Sequence, residues 1–426
     1  MVEPLPLGGD EDEQAGVATT PWSRPAWQGT TLRRRNFASI MRTVLAHGPI
    51  SRTEIADAVG LTATTLTNVM SILIDAGLVK EDVGARTSGD RGRPKIPVVI
   101  DPAGLTVVGV HIGGRMTTVG LVDLSGVVGD EITIPHRGED PHAVIRSASA
   151  AVTKLVGGRD HGGPVLGVGA SIGGWVDTSA GTVVDHPSLP WHGVELRSEL
   201  ERRLDMPVLL DSNARAMALA ESWFGAARGV GNLLYLSVGT IVSAAIVING
   251  AIHRGPRAAA GHVNHLPVGA RASQACTCGR RDCLQVAVSD RAVIQAARKA
   301  GIAGRTETIE RLTARAEGGD ARADRLLRTR ARHLGYAIGL LTDVLNPDRV
   351  VLSGGILLAP HYLRDVLHAT ETRANTAADV AGLVVPSTLG EHSLALASGA
   401  LLLDAYYRDP VAYPPLAQRA KGPRPS

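Results

Sequence analysis

Between Ser51 and Gly77 the sequence encodes two short helices joined by a very short turn, and few folds accommodate that arrangement. Ser51-Arg52-Thr53-Glu54 is a capping box. The serine hydroxyl can accept from the amide three residues on, and the glutamate can reach back to the serine amide. Ile55, Ala56 and Val59 carry this helix, Gly60 breaks it, and Thr62 caps a second one. Leu66, Val69, Met70 and Leu73 form the inner stripe of that second helix, and Thr64, Thr65, Thr67, Asn68 and Ser71 its outward face. Upstream, Phe37, Ile40, Met41, Val44 and Leu45 recur at helical spacing until Gly48-Pro49 ends the helix. Downstream, Gly77 suits a C-terminal cap. Leu78-Val79 starts a strand, Arg86 to Lys95 forms a basic Gly/Pro-bearing loop, and Ile96 to Ile100 returns. The pattern predicts a winged helix-turn-helix over residues 29–100. The competing assignment is a helical dimerisation module with a solvated basic loop.

The chemistry of the segment favours the first. Residues 31–100 hold ten Lys or Arg against six Asp or Glu, a balance of +4 where the whole chain carries +3. Short hydroxyl and amide side chains on an exposed helix start suit base edges and phosphates in a major groove. A slim Gly92-Arg93-Pro94 tip suits a minor groove. The expected DNA contacts are Ser51, Arg52, Thr62, Thr64, Thr65, Thr67, Asn68 and Ser71, with Arg91, Arg93 and Lys95 from the wing. A two-fold protein reading a palindromic operator implies a homodimer or homotetramer.

Residues 1–28 are acidic, rich in Pro and Gly, and lack apolar periodicity, so they read as a disordered tail. With Asp10, Glu11, Asp12 and Glu13 there, a secretory signal is not expected. No apolar run approaches the roughly 18–20 residues that span a bilayer, which gives a cytoplasmic expectation without membrane partners. From about residue 101 to 410 the pattern alternates strands and helices. It is rich in Gly and poor in aromatics (3%), as in α/β architecture. Residues 411–426 read as a flexible tail. All three cysteines fall between Cys276 and Cys283, which argues for a local metal site rather than a disulfide framework. His253, His262 and His265 are candidate fourth ligands beside Cys276, Cys278 and Cys283. Three thiolates and an imidazole make a closed, structural zinc site.

Six ordered stretches resemble the ROK family, which comprises repressors, open reading frames of unknown role and sugar kinases. They are GVHIGGRMTTVGLVDLSG (109–126), GVGASIGGWVDTSAGTVVDHPSLPW (167–191), LLDSNARAMALAESWFGAARG (209–229), LLYLSVGTIVSAAIVINGAIHRG (233–255), CTCGRRDCLQ (276–285) and NPDRVVLSGG (346–355). The resemblance implies a two-lobed actin-like ATPase fold behind the winged helix, with sugar and nucleotide in the cleft. It also implies His265 as the fourth zinc ligand.

Departures from the family pattern bear on chemistry. The family's catalytic Asp aligns with Asn213, and an amide cannot accept the proton of an attacking hydroxyl. His111 and Arg115 stand in the first phosphate loop where kinases have Asp and Thr. Ile241, Ser243 and Ala245 replace glycines in the second. The sugar-gripping Glu becomes His262, the Glu after the zinc loop becomes Gln285, and a loop Asn becomes Ser188. With Asn213 and His265 these form the expected effector wall for a carbohydrate or sugar phosphate. The expectation is a transcriptional regulator, a repressor of carbohydrate-related genes, whose kinase-like domain is catalytically dead. The alternatives are a sugar kinase with an appended DNA-binding domain, and a regulator whose second domain is only a dimerisation scaffold.

Overall fold

The computed structural model describes residues 31–82, 96–158, 163–187, 189–270, 272, 274–377 and 379–416. The N-terminal unit contains α1 (Thr31–His47), β1 (Ile50–Ser51), α2 (Arg52–Val59), α3 (Ala63–Asp75), β2 (Val79–Glu81) and β3 (Pro97–Ile100). The capping box forms as read: Ser51 Oγ accepts from the Glu54 amide at 3.3 Å, and Glu54 accepts from the Ser51 amide at 2.9 Å. Gly60 ends α2 at φ +68°, a conformation costly for a side chain bearing Cβ. Thr62 then caps α3 through the Thr65 amide at 3.3 Å. β3 pairs antiparallel with both β1 and β2, making the three-stranded sheet of a winged helix. Ile40, Met41, Ile55, Met70, Leu73 and Leu78 are fully buried at its centre.

The first lobe follows with β4 (Thr106–Ile112), β5 (Met116–Asp123), β6 (Val128–Pro135), α4 (Pro141–Val156) and β7 (Val165–Ile172). A small flap has β8 (Trp175–Asp177), β9 (Thr182–Asp185) and β10 (His192–Val194). Then come α5 (Leu196–Leu204), β11 (Val208–Ser212) and α6 (Asn213–Phe224). The second lobe has β12 (Leu233–Val238), β13 (Val242–Ile248), β14 (Ala251–Ile252), α7 (Leu284–Val288), α8 (Asp290–Lys299), α9 (Ile309–Glu317), α10 (Ala321–Leu345), β15 (Arg349–Gly354), α11 (Pro360–Arg373), α12 (Val380–Leu383) and β16 (Val384–Pro386). Helix α13 (Ser393–Arg408) then returns to the first lobe.

The two central sheets share one topology. Their strand orders are β11-β7-β4-β5-β6 and β14-β13-β12-β15-β16. In each, an antiparallel meander is extended by two parallel strands from its first strand, β4 or β12. β4 is buried along its whole length, which accounts for its near-continuous apolar run. Helix α13 lies directly on the first sheet because small residues face it. A Cβ on Gly169 would fall 1.9 Å from the Ser398 carbonyl oxygen, and one on Gly109 would fall 2.0 Å from that of Ala395.

The winged helix is docked on this body. Arg34 Nε donates to Asp409 Oδ1 at 2.9 Å at the end of α13. Arg228, just beyond α6, donates to the carbonyls of Leu45 (3.2 Å) and Ala46 (2.8 Å) and so caps the C-terminus of α1. One apolar core runs from Phe37 and Met41 through Tyr406 and Tyr407 to Leu416. That corrects the tail boundary: residues 411–416 are packed, and Leu416 is only 3% exposed. The turn at Pro410–Ala412 packs against both α1 and α13. The acidic tail over 1–28 lies outside the described residues. Among the described residues, no single helix is long and apolar enough to cross a membrane.

Candidate functional site

The outward face of α3 is presented as the periodicity requires. Leu66, Val69, Met70 and Leu73 are buried, while Thr64, Thr67, Asn68 and Ser71 are exposed. Other expected DNA contacts are engaged locally. Ser51 is buried and its hydroxyl serves the cap of α2, so it is a structural residue of the turn rather than a DNA-facing one. Thr65 is half-buried, and its hydroxyl pairs with that of Thr62 at 2.9 Å. Thr67 donates to the Ala63 carbonyl at 2.8 Å. Arg52 is ion-paired with Glu81 on β2 at 2.8 Å, tying α2 to the hairpin. The wing residues Arg91, Arg93 and Lys95 lie outside the described residues.

The cysteine loop closes on one imidazole. The ligand atoms of His265, Cys276, Cys278 and Cys283 all lie within 4.8 Å of one another. His265 Nδ1 is 3.3 Å from Cys276 Sγ, and Cys278 Sγ is 3.3 Å from Cys283 Sγ. Tetrahedral zinc, with bonds of about 2.0–2.3 Å, places its donor atoms roughly 3.3–3.8 Å apart, so the donor set fits that ion in number, type and spacing. The Cys278 thiol is held down to about 6, chiefly by the Arg280 backbone amide and then by Cys283. Burial pushes Cys283 up to about 12. Arg280 donates to the His265 carbonyl at 2.6 Å and ties the loop back on itself. His262 is not part of this cluster. Its Nδ1 lies 2.8 Å from the Ala259 carbonyl oxygen, and its ring meets Trp175 edge-on at 5.9 Å.

Between the lobes, Asn213 begins α6, and the carboxylate beside it is fully engaged. Asp211 is buried. Oδ1 takes the Arg215 guanidinium and the Ser212 amide (2.7 Å), and Oδ2 takes Arg254 Nη2 at 2.9 Å. Both of its oxygens are thus occupied by protein donors. The same network joins the lobes. Arg254 follows β14 of the second lobe, and Arg215 Nη1 donates to the Ala258 carbonyl of that lobe at 2.9 Å. Trp175 Nε1 donates across to the Arg257 carbonyl at 2.9 Å, with the Arg257 guanidinium 4.8 Å from the Trp175 ring.

Gln285 is engaged within the second lobe. Its Oε1 accepts from the Val242 amide at 2.8 Å and its Nε2 donates to the Thr240 carbonyl at 3.2 Å, so the amide props the β12–β13 turn. His111 is buried, 3.0 Å from Ser171 Oγ, which in turn is 2.8 Å from Ser398 Oγ on α13. Burial, with His186 nearby, lowers the His111 imidazole to about 4, so it is neutral at physiological pH and cannot supply a positive charge there. Ser188 lies outside the described residues. Sequence reasoning missed Arg215, Arg254, Arg257 and Trp175. Only the four-residue spacing of Asp211 and Arg215 hinted at a pair.

The ROK family model matches residues 107–405, and a winged helix-turn-helix DNA-binding model matches residues 39–80. The chain belongs to the ROK family. Among relatives of this ROK protein, a transcriptional regulator of Mycobacterium tuberculosis is 35% identical over 336 residues, 74% of this chain and 74% of that one. The xylose repressor of Caldicellulosiruptor bescii is 30% identical over 337 residues, 76% of this chain and 84% of that one. A solved ROK family transcriptional regulator, described as a homolog of the Escherichia coli MLC protein, superposes with a TM-score of 0.73. That superposition covers 88% of this chain and 97% of the other at 23% identity, which establishes the shared fold.

Proposed function

We propose that this ROK protein is a sequence-specific DNA-binding transcriptional regulator, a repressor of carbohydrate-related genes, without kinase activity. The observation that carries the reading is the exposed Thr64, Thr67, Asn68 and Ser71 face of α3, held rigid by a buried helix-turn-helix core. The regulators among its relatives support the same reading. Arg91, Arg93 and Lys95 would supply wing contacts, and a homodimer would read a palindromic site. His265, Cys276, Cys278 and Cys283 would hold a structural zinc ion, whose role is to fix the loop beside the cleft. The absence of phosphoryl transfer would follow from two groups: Asn213 cannot take a proton, and both oxygens of Asp211 are already bound by Arg215 and Arg254. A carbohydrate or sugar-phosphate effector would enter between the lobes near His262 and Asn213.

One observation favours a second reading, in which the body is only a dimerisation scaffold. The Arg254–Asp211–Arg215 network already bridges the lobes with protein groups. Melting of the protein against a panel of sugars and sugar phosphates separates the two, because only the effector reading expects a stabilising compound.

The DNA reading is tested with Asn68→Ala. Loss of one base-edge contact costs about 1–3 kcal/mol, so affinity for the preferred site should fall by roughly 5- to 150-fold. Affinity for random duplex should hardly change. Equal loss on both DNAs, or none on either, would remove Asn68 from base recognition.

A further inference from the structure

The nucleotide half of the fold contains an unexpected internal anion. β12 and β15 are adjacent parallel strands, with Val238 opposite Gly354. Both end in glycine turns, Gly239-Thr240 and Gly354-Gly355. The N-terminus of α8 points into the same corner, and the Asp290 amide donates to the Gly239 carbonyl at 2.9 Å. Two glycine turns at the carboxyl ends of parallel strands, facing a helix start, make a favourable place for phosphate. Here a side chain is already there. A Cβ built on Gly355 would lie 2.6 Å from Asp290 Oδ1 and 3.2 Å from Oδ2, and one on Gly239 would lie 3.9 Å from Oδ2. The carboxylate therefore rests against the backbone of one turn and close to the other. It is held by Arg330, whose side chain is 1% exposed. Arg330 Nη2 binds Asp290 Oδ1, and Nε donates to the Val288 carbonyl at 2.7 Å. Nη2 also reaches the Val238 carbonyl at 3.4 Å. The guanidinium thus joins the end of β12, the end of α7 and the start of α8.

We infer that Asp290 is a built-in counter-anion that occupies the phosphate position of the second lobe and excludes nucleotides from it. A phosphate arriving at these turns would meet a carboxylate where it needs open backbone amides, and like charges at that range repel. Arg330, which could otherwise attract a phosphate, is neutralised from within. The inference deepens the non-kinase part of the proposed function but rests on separate residues, since neither Asn213 nor Asp211 takes part.

The test uses the full chain with inorganic pyrophosphate and ADP as probes, followed by calorimetry and thermal melting, and compares wild type with Asp290→Gly. Wild type should give no saturable binding of either compound up to about 1 mM. Asp290→Gly strands a buried guanidinium, so it should melt several degrees lower and recover part of the loss in formate or pyrophosphate. It should also acquire saturable pyrophosphate binding. Should that variant not fold, Asp290→Ala also removes the carboxylate, opens the same space and should show the same anion-dependent recovery. Saturable ADP binding by wild type would overturn the inference. So would a foldable variant whose melting neither drops nor responds to anions. DNA affinity measured on the same samples keeps the regulator reading separate, because ADP binding by wild type that still selects one DNA sequence would sink only the plug.

Discussion

Protein purified without chelator should contain about one equivalent of zinc per chain, and removing it should have the largest effect of any single change considered. Structural zinc binding in small peptides is worth on the order of 10 kcal/mol, so even the fraction retained inside a larger domain is substantial. Three of the four donors lie in one loop, and the ion would join them to His265. Cys278 is exposed, and the loop backbone is held by turns such as Gly279 to the Cys276 carbonyl at 2.8 Å. Cys283 starts α7, so loss of the ion should also loosen Gln285 and the β12–β13 turn that it props. Metal content by mass spectrometry and melting with and without a strong chelator check this. Cys283→Ser should lack the metal and melt at or below the chelated wild type. Metal-free wild type, or melting indifferent to chelation, would contradict the zinc assignment.

Gly169→Ala should destabilise the first lobe by about 3 kcal/mol or more, towards the upper end of overpacking costs. The added methyl group would sit 1.9 Å from a backbone oxygen of α13, and a helix backbone cannot yield as a side-chain tip can. The expected response is that α13 lifts from β4 and β7. Because Tyr406, Tyr407 and Asp409 also receive the winged helix, its docking should weaken too. Gly138→Ala is the control, since a Cβ there meets nothing within 4 Å and should change stability by no more than about 0.5 kcal/mol. Urea unfolding of both variants measures the difference. Equal midpoints would mean that the close approach of α13 to the sheet is wrong.

The parts of this protein that could be read from sequence are those written in local code. The capping box at Ser51 and Glu54, the stop at Gly60 and the cap at Thr62 each involve groups within four residues, and each forms as read. The cysteine cluster was legible because three of its four ligands lie within eight consecutive residues. Choosing His265 over His253 and His262 needed the family resemblance. The cleft was not legible, because its contacts are long-range. Arg254 reaches Asp211 from 43 positions away, and Gln285 reaches Val242 from the same distance. The two bonds of the Gln285 amide to the β12–β13 turn could not be read from its residue type alone. The junction between the domains was hidden for the same reason: Arg228 caps a helix more than 180 positions upstream, and Leu416 is buried in a core that residues of α1 also join.

The central claim is specific recognition of DNA by α3, and capture of fragmented genomic DNA on the purified full-length protein, sequenced at two salt concentrations, tests it most directly. The account predicts enrichment of one palindromic motif that persists at the higher salt, because base contacts do not depend on counterion release. Uniform capture that disappears as salt is raised would show binding driven by phosphate charge alone, and would contradict the assignment.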